Sequence, residues 1–398
     1  MKRIKSLDVK YSLTQVLYFA TFAGALGYAT NYLTGKGLST SIVGVALSIV
    51  SVLAVFTQPM IASFADSHKN IEIRYLVMLF IAIATVLAVV MSFMPSSAAM
   101  LTLVLFVSIS TALQTVTPLL NSLAFVFKKY GVEINYGIGR GLGSAAYAFA
   151  ALGIGKLANL FGTNFIPYTY IVLNILLIFV CYVYVIPKNE AHLVEVDTVA
   201  ESAEGVKQLS FIEFFKKYKK YMLFILGVAV VYFTHTIINN FMIKVIEPIG
   251  GDSSTMGIAV FIAAMAELPA MFGFNKLREK IGCSNLLRIA AVMFLVKHVI
   301  TYFAPNMTIM YVAQLTQALA YAPLIPAGVY YANQIISEAD SVKGQSMFTM
   351  AMTASGIVAN LVGGVLIDAM GAHSVLLIGI VVSIVGCFVL FAGLDDVK

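Results

Sequence analysis

Long apolar runs, repeated twelve times and separated by short charged or glycine-containing connections, constrain this chain more than any other feature. They lie near residues 12–34, 40–65, 73–94, 98–127, 136–160, 166–187, 221–246, 253–275, 284–304, 307–335, 345–367 and 372–394. A helix that crosses a bilayer needs about 20 mostly apolar residues, and each run meets that length. The 398 residues are 60% hydrophobic and only 11% charged, against about 25% charged in a soluble domain. The expected fold is therefore an all-α membrane protein with twelve transmembrane helices, whose outer solvent is the lipid bilayer.

The formal net charge of +6 is spread among the connections and forms no single patch. That argues against a nucleic-acid partner and for membrane topology. Cys181, Cys283 and Cys387 are too widely spaced for a metal motif and read as packing residues. The basic start, Met1-Lys2-Arg3-Ile4-Lys5, leads into an apolar run with no evident cleavage site, so a retained first helix is expected. Neither G-x-x-x-x-G-K-[ST] nor H-E-x-x-H occurs. No cofactor is expected, and an ATP-driven pump or an enzyme is disfavoured.

The longest polar interval, 188–220, separates a first six-helix half, 1–187, from a second, 221–398. Its basic end, Phe214-Phe215-Lys216-Lys217-Tyr218-Lys219-Lys220, reads as a short interfacial helix on an anionic leaflet. Nearly all loop lysines and arginines fall at the even-numbered connections and the two termini; Lys36, Lys156 and Lys244 fall on the other side. The positive-inside rule then puts both termini and the 188–220 linker in the cytoplasm, as in a multi-pass protein of the cytoplasmic (inner) membrane. The short charged turns 62–69 and 275–282 occupy corresponding places in the two halves. Gly137, Gly139, Gly141 and Gly143 open the fifth span, and Gly356, Gly363 and Gly364 line the eleventh. Their expected role is close helix packing, which small residues permit in lipid.

Against this background the ionisable residues inside the spans stand out: Arg140, His235, Glu267, Lys297 and His298. A charge at bilayer depth costs about 2.5–3.5 kcal/mol even on insertion scales, and such residues mark functional sites by default. Arg140 either snorkels to the interface or binds a solute. Glu267, the one carboxylate deep in any span, either pairs with Lys297 or serves solute and proton. His235, Asn239 and Asn240 share part of one face and read as pocket lining, whereas His298 neighbours Lys297 and points elsewhere. Gln114, Asn121, Gln314 and Gln317 serve equally as interhelical hydrogen-bonding groups or as solute contacts. Asn31 and Tyr32 are weaker candidates.

The segment Tyr136-Gly137-Ile138-Gly139-Arg140-Gly141-Leu142-Gly143-Ser144-Ala145-Ala146-Tyr147 resembles the fifth helix of the lactose permease group. That group is the oligosaccharide–proton symporters of the major facilitator superfamily. Its pattern there is aromatic-Gly-x-x-Arg-x-x-Gly with an aromatic residue seven positions after the arginine; the arginine binds sugar hydroxyls and the ring stacks on the sugar. Arg140 and Tyr147 match. Independently of the family, a spacing of seven puts both on one helix face, and a planar fork of donors suits adjacent hydroxyls. Gln58-Pro59 followed by Asp66, Asn239-Asn240-Phe241 and Met265-Ala266-Glu267-Leu268 resemble further family motifs, and Lys297 falls where the family has a buried arginine. The resemblance implies that Glu267 binds sugar.

The departures bear on coupling. The family's second sugar-binding acid falls at Asn121, and its Lys, His and Glu on the tenth helix fall at Gln314, Gln317 and Ala320. The reading is a secondary active transporter that moves a small polyhydroxylated solute, a sugar or oligosaccharide, by alternating access between two halves. The substrate-binding set is Arg140, Tyr147, Glu267, Asn121, His235, Asn239, Asn240, Gln314 and Gln317. Glu267 and Lys297 carry proton coupling, with the protein working as a monomer. A nucleoside or drug carrier, a uniporter, and a non-transporting solute sensor are the alternatives.

Overall fold

A computed structural model of the protein describes residues 2–68, 70–187, 210–337 and 340–397. Most of the expected 188–220 linker lies outside the described residues. The chain divides into two compact units, Met1–Val199 and Ala200–Lys398. Both are helical, and the described residues contain no β-strand.

In the first unit, α1 (Lys5–Phe22) runs through a π-helical turn, Ala23–Gly27, into α2 (Ala29–Gly35). Then come α3 (Thr40–Ser67), α4 (Ile73–Ser92), α5 (Ala99–Ser122), α6 (Tyr136–Phe161) and α7 (Ile166–Tyr182). The second unit opens with α8 (Phe211–Lys217), the short helix expected at the basic end of the linker. It continues with α9 (Lys219–Asn240), α10 (Met242–Ile246), α11 (Ser253–Phe272), α12 (Phe274–Ile281), α13 (Cys283–Phe303), α14 (Met307–Leu315), α15 (Tyr321–Ile335) and α16 (Ser341–Gly393).

Nine of these helices, some with a short flanking turn, are long and apolar enough to cross a membrane. α16 counts as two spans, because Gly371 breaks it with φ 79° and ψ 156°, a conformation open to glycine but costly for a side chain. The interrupted paths α1–α2 and α14–α15 complete the twelve. Large apolar side chains face outward, among them Phe56 at 64% exposed, Phe179 at 62% and Phe388 at 72%. A soluble protein would not leave this surface in water; a bilayer supplies its solvent.

Local sequence sets the helix starts. The Asn135 side chain accepts from Ile138 N at 3.0 Å to begin α6. Asp252 and Thr255 form a reciprocal capping box at α11. Pro59, Pro118, Pro269 and Pro326 lie inside helices, where spans tolerate them because neighbouring helices satisfy the freed carbonyls.

Helix association relies on small residues and polar contacts. In the first unit a Cβ on Gly139 would sit 2.6 Å from the Tyr11 ring, and one on Gly143 2.6 Å from Phe19. Gly137, Gly141 and Gly356 open onto no such crowding, so only part of each glycine series packs as expected. The second unit uses a seven-residue repeat on α16. A Cβ on Gly379 would lie 2.5 Å from Thr234 and one on Gly386 2.8 Å from Val231, while Gly393 abuts the Phe224 backbone. Gly227 of α9 answers them by abutting the Leu390 backbone. Buried phenols add hydrogen bonds to helix carbonyls, as in Tyr28 to Ala151 O (2.7 Å), Tyr18 to Leu113 O (2.9 Å) and Tyr221 to Gly344 O (2.7 Å).

Candidate functional site

Two groups of polar side chains, one in each unit, stand out from the apolar interior. In the first unit α1 and α6 approach closely at Gly139 and Gly143, and this contact positions Arg140. Its guanidinium lies over the Phe19 ring, 4.2 Å from the centroid. Its Nη1 donates to Ser144 Oγ at 2.8 Å. Arg140 is half-buried and has no ion pair among the described residues. A guanidinium held this way keeps most of its five donors unused. Tyr147 lies two turns on along the same face. Its hydroxyl oxygen stands 2.8 Å from where a Cβ on Gly27 would be, so the π-helical turn leaves room for the phenol. π-bulges recur at functional sites because they open a helix locally. Asn121, near the end of α5, is half-buried and makes no side-chain hydrogen bond among the described residues. Gln114 accepts on its backbone oxygen from Gln58 Nε2 at 3.0 Å, a link between α3 and α5.

In the second unit the tenth span is broken. The 3₁₀ turn Thr316–Ala318 separates α14 from α15, and the break carries Gln317 to a position no straight helix would give it. Lys297 of α13, fully buried at 0% exposure, donates to Gln317 Oε1 at 2.9 Å. The half-buried Glu267 carboxylate of α11 lies near both Gln317 and Lys297. The ammonium and the carboxylate, for which direct pairing is one of two alternatives, form no ion pair among the described residues; the Gln317 amide lies beside both. An amide carries both an acceptor and donors, which no single charged side chain does.

His235 of α9 lies beside this cluster at 2% exposure. Its ring stacks on Tyr321 (centroids 5.7 Å apart) and meets Phe294 edge-on at 4.9 Å. Asn239 Nδ2 and His235 Nε2 are 2.9 Å apart, and His235 Nδ1 is buried without a partner among the described residues. The Tyr232 and Tyr321 rings lie against each other, with Glu267 near Tyr232. Gln314 is 1% exposed and its Nε2 is also unpartnered.

Not every expected member joins. Asn240 turns away and donates to Asn360 Oδ1 of α16 at 2.6 Å, an interhelical contact. His298, the next residue of α13, faces α16 instead, where Nδ1 and Ser383 Oγ are 2.7 Å apart. The three cysteines are free and buried. Among the described residues no group of three His, Cys, Asp or Glu side chains is placed to hold a metal ion.

Sequence reasoning missed Phe19, Ser144, Tyr232 and Tyr321. Ser144 and Tyr232 carried a usable signal, lying four residues after Arg140 and three before His235, on the same helix faces. Phe19 and Tyr321 come from other helices, and no spacing would have found them.

The MFS_1 like family matches over residues 9–378. The maltose permease of Geobacillus stearothermophilus is 24% identical over 391 residues, 96% of this chain and 93% of that protein. The uncharacterized transporter YwbF of Bacillus subtilis (strain 168) is also 24% identical, over 149 residues and 37% of its length. Among solved structures, the nucleoside transporter NupG superposes with a TM-score of 0.78 at 15% identity, covering 98% of this chain and 99% of that one. A bacterial homolog of the human lysosomal transporter Spinster superposes with a TM-score of 0.68 at 14% identity, covering 99% and 97%. The chain belongs to the MFS_1 like family and is a multi-pass membrane transporter of the major facilitator superfamily.

Proposed function

We propose that the protein is a secondary transporter that moves a small polyhydroxylated solute, a sugar or oligosaccharide, by alternating access across the cytoplasmic membrane. It acts as a monomer with both termini in the cytoplasm. Arg140 and Tyr147 of the first unit supply a fork of donors and a ring. Glu267, Gln314, Gln317, His235 and Asn239 of the second unit supply further hydrogen-bonding groups; Asn121 of the first unit contributes at the edge. The observation that carries the reading is the Lys297–Gln317–Glu267 cluster. Buried charges in an apolar unit are costly and persist where they serve transport.

Proton coupling follows from the same cluster. Glu267 carries the proton and Lys297 answers its charge: with Glu267 ionised the groups are neutral overall, and with Glu267 protonated they carry one positive charge. Solute that replaces Gln317 at the carboxylate would change which form is favoured, and that difference couples solute to proton. The two groups titrate as a unit. The whole-length similarity to a maltose permease supports a sugar. A nucleoside is the second reading, favoured by the Tyr232–Tyr321 pair (centroids 6.4 Å, 27° between planes), which offers a surface on which a planar base could stack.

A thermal-shift screen of purified protein against sugars, oligosaccharides and nucleosides decides between them. Stabilisation by a sugar that is lost in Arg140→Ala supports the proposal. Stabilisation by nucleosides alone replaces it with the second reading.

A further inference from the structure

An apolar groove of about 930 Å³ runs along the second unit between α9 and the first half of α16. Leu226, Val230 and Phe233 form one wall, and Met350 and Val358 the other. The hydroxyl of Ser355, also in the lining, is engaged by Ala229 O at 2.6 Å. That leaves Lys219, at the end next to α8, as the one charged side chain in the lining.

Position and charge together indicate what fills the groove. From Lys219 to Phe233 α9 advances fourteen residues, about 21 Å at the helical rise. Half of the hydrocarbon core is about 15 Å thick. The groove therefore reaches from a membrane surface through one leaflet, the path of a single acyl chain. At its mouth the basic residues are unequally paired. Lys220 is bonded to Asp395 at 2.6 Å, Lys343 pairs with Asp340 at 3.7 Å, and the Glu213 carboxylate is held in its own helix cap by Ser210 N at 2.8 Å. Lys216 and Lys219 have no anionic partner among the described residues and are both exposed. An apolar channel one leaflet deep with unpaired cations at its surface end is complementary to an anionic phospholipid.

We propose that this groove is a binding site for an anionic phospholipid, with one acyl chain lying between α9 and α16 and the phosphate at Lys219. The site is separate from the solute-binding residues, and the inference does not rest on the transport reading. The lipid would fill the space between the two helices and tie α8 to the membrane surface.

The test is native mass spectrometry of the full chain in detergent, with phosphatidylglycerol or phosphatidylcholine of identical acyl chains added at equal concentration. The expected result is a preference for phosphatidylglycerol of about fivefold, the effect of one lysine at an anionic surface. Lys219→Gln should abolish the preference while leaving weak, unselective retention. Ala354→Phe, at an exposed position in the groove wall, should reduce retention of both lipids; its thermal midpoint checks that it folds. Equal retention of the two lipids by the unmodified protein would overturn the proposal. So would a preference that survives Lys219→Gln, or displacement of phosphatidylglycerol by inorganic phosphate alone, which would indicate a free-anion site.

Discussion

Gln317 is the residue whose removal should cost the second unit most for its size. Lys297 is fully buried and its recorded acceptor is Gln317 Oε1 at 2.9 Å. Gln317→Leu keeps the volume and removes the acceptor of the Lys297 ammonium. A hydrogen bond to a charged group contributes about 1.5–3 kcal/mol, and a buried ammonium left without its acceptor carries that loss in full. For a unit of about 200 residues, 1 kcal/mol shifts the midpoint by about 2–4 °C, so a fall of about 3–12 °C is expected. The triple variant Glu267→Leu/Lys297→Met/Gln317→Leu removes the stranded ammonium together with its acceptor and its counter-charge. Apolar replacement of a complete buried polar cluster is close to neutral or stabilising, so its midpoint should return to within about 2 °C of the unmodified protein. The assay is built into the chain: all three cysteines are free and buried, so a thiol-reactive fluorophore reports unfolding directly. A Gln317→Leu variant as stable as the unmodified protein would refute the role of Gln317 as that acceptor. A triple variant less stable than the single one would refute the stranded-charge argument.

Other outcomes follow from the same geometry. Arg140→Ala should weaken binding of the identified solute by about ten- to a hundredfold, the effect of about 1.5–3 kcal/mol; Arg140→Lys should do nearly as badly, because lysine lacks the planar fork, and isothermal titration checks both. Gly227→Val should prevent accumulation of folded protein, because the new side chain meets the Leu390 backbone, whereas Gly356→Ala, with nothing within 4 Å, should be neutral or stabilise by up to about 1 kcal/mol; fluorescence-detected size exclusion separates these results. A cysteine at Ser96 should react with a membrane-impermeant maleimide from outside intact cells and one at Ser67 should not; the reverse pattern would invert the proposed topology.

Much of the fold was legible because hydropathy integrates over twenty residues and a bilayer leaves few alternatives. The interruptions were not. A window over 307–335 averages across the break at 316–320, and a window over 12–34 averages across the π-helical turn. The turn at Gly371 left its mark as a polar gap between two apolar runs. Single-residue signals fared similarly. Arg140, Glu267 and Lys297 are conspicuous because charge in lipid is rare, and helical spacing joined His235 to Asn239. What lies beside both Lys297 and Glu267 is an uncharged glutamine from a third span, and only the break in that tenth span brings it there. The glycines at 379, 386 and 393 have a plain heptad spacing in the sequence. Their partner α9 could not be named from it, because close approach is a property of two helices.

Uphill accumulation in proteoliposomes tests the proposed mechanism most directly. With equal solute on both sides and an imposed pH gradient, the unmodified protein should concentrate the solute on the alkaline side. Glu267→Gln should abolish that accumulation while leaving downhill exchange measurable. Accumulation that persists in Glu267→Gln would remove this carboxylate from the proton path. No accumulation by the unmodified protein under the same gradient would contradict proton coupling and make the protein a uniporter.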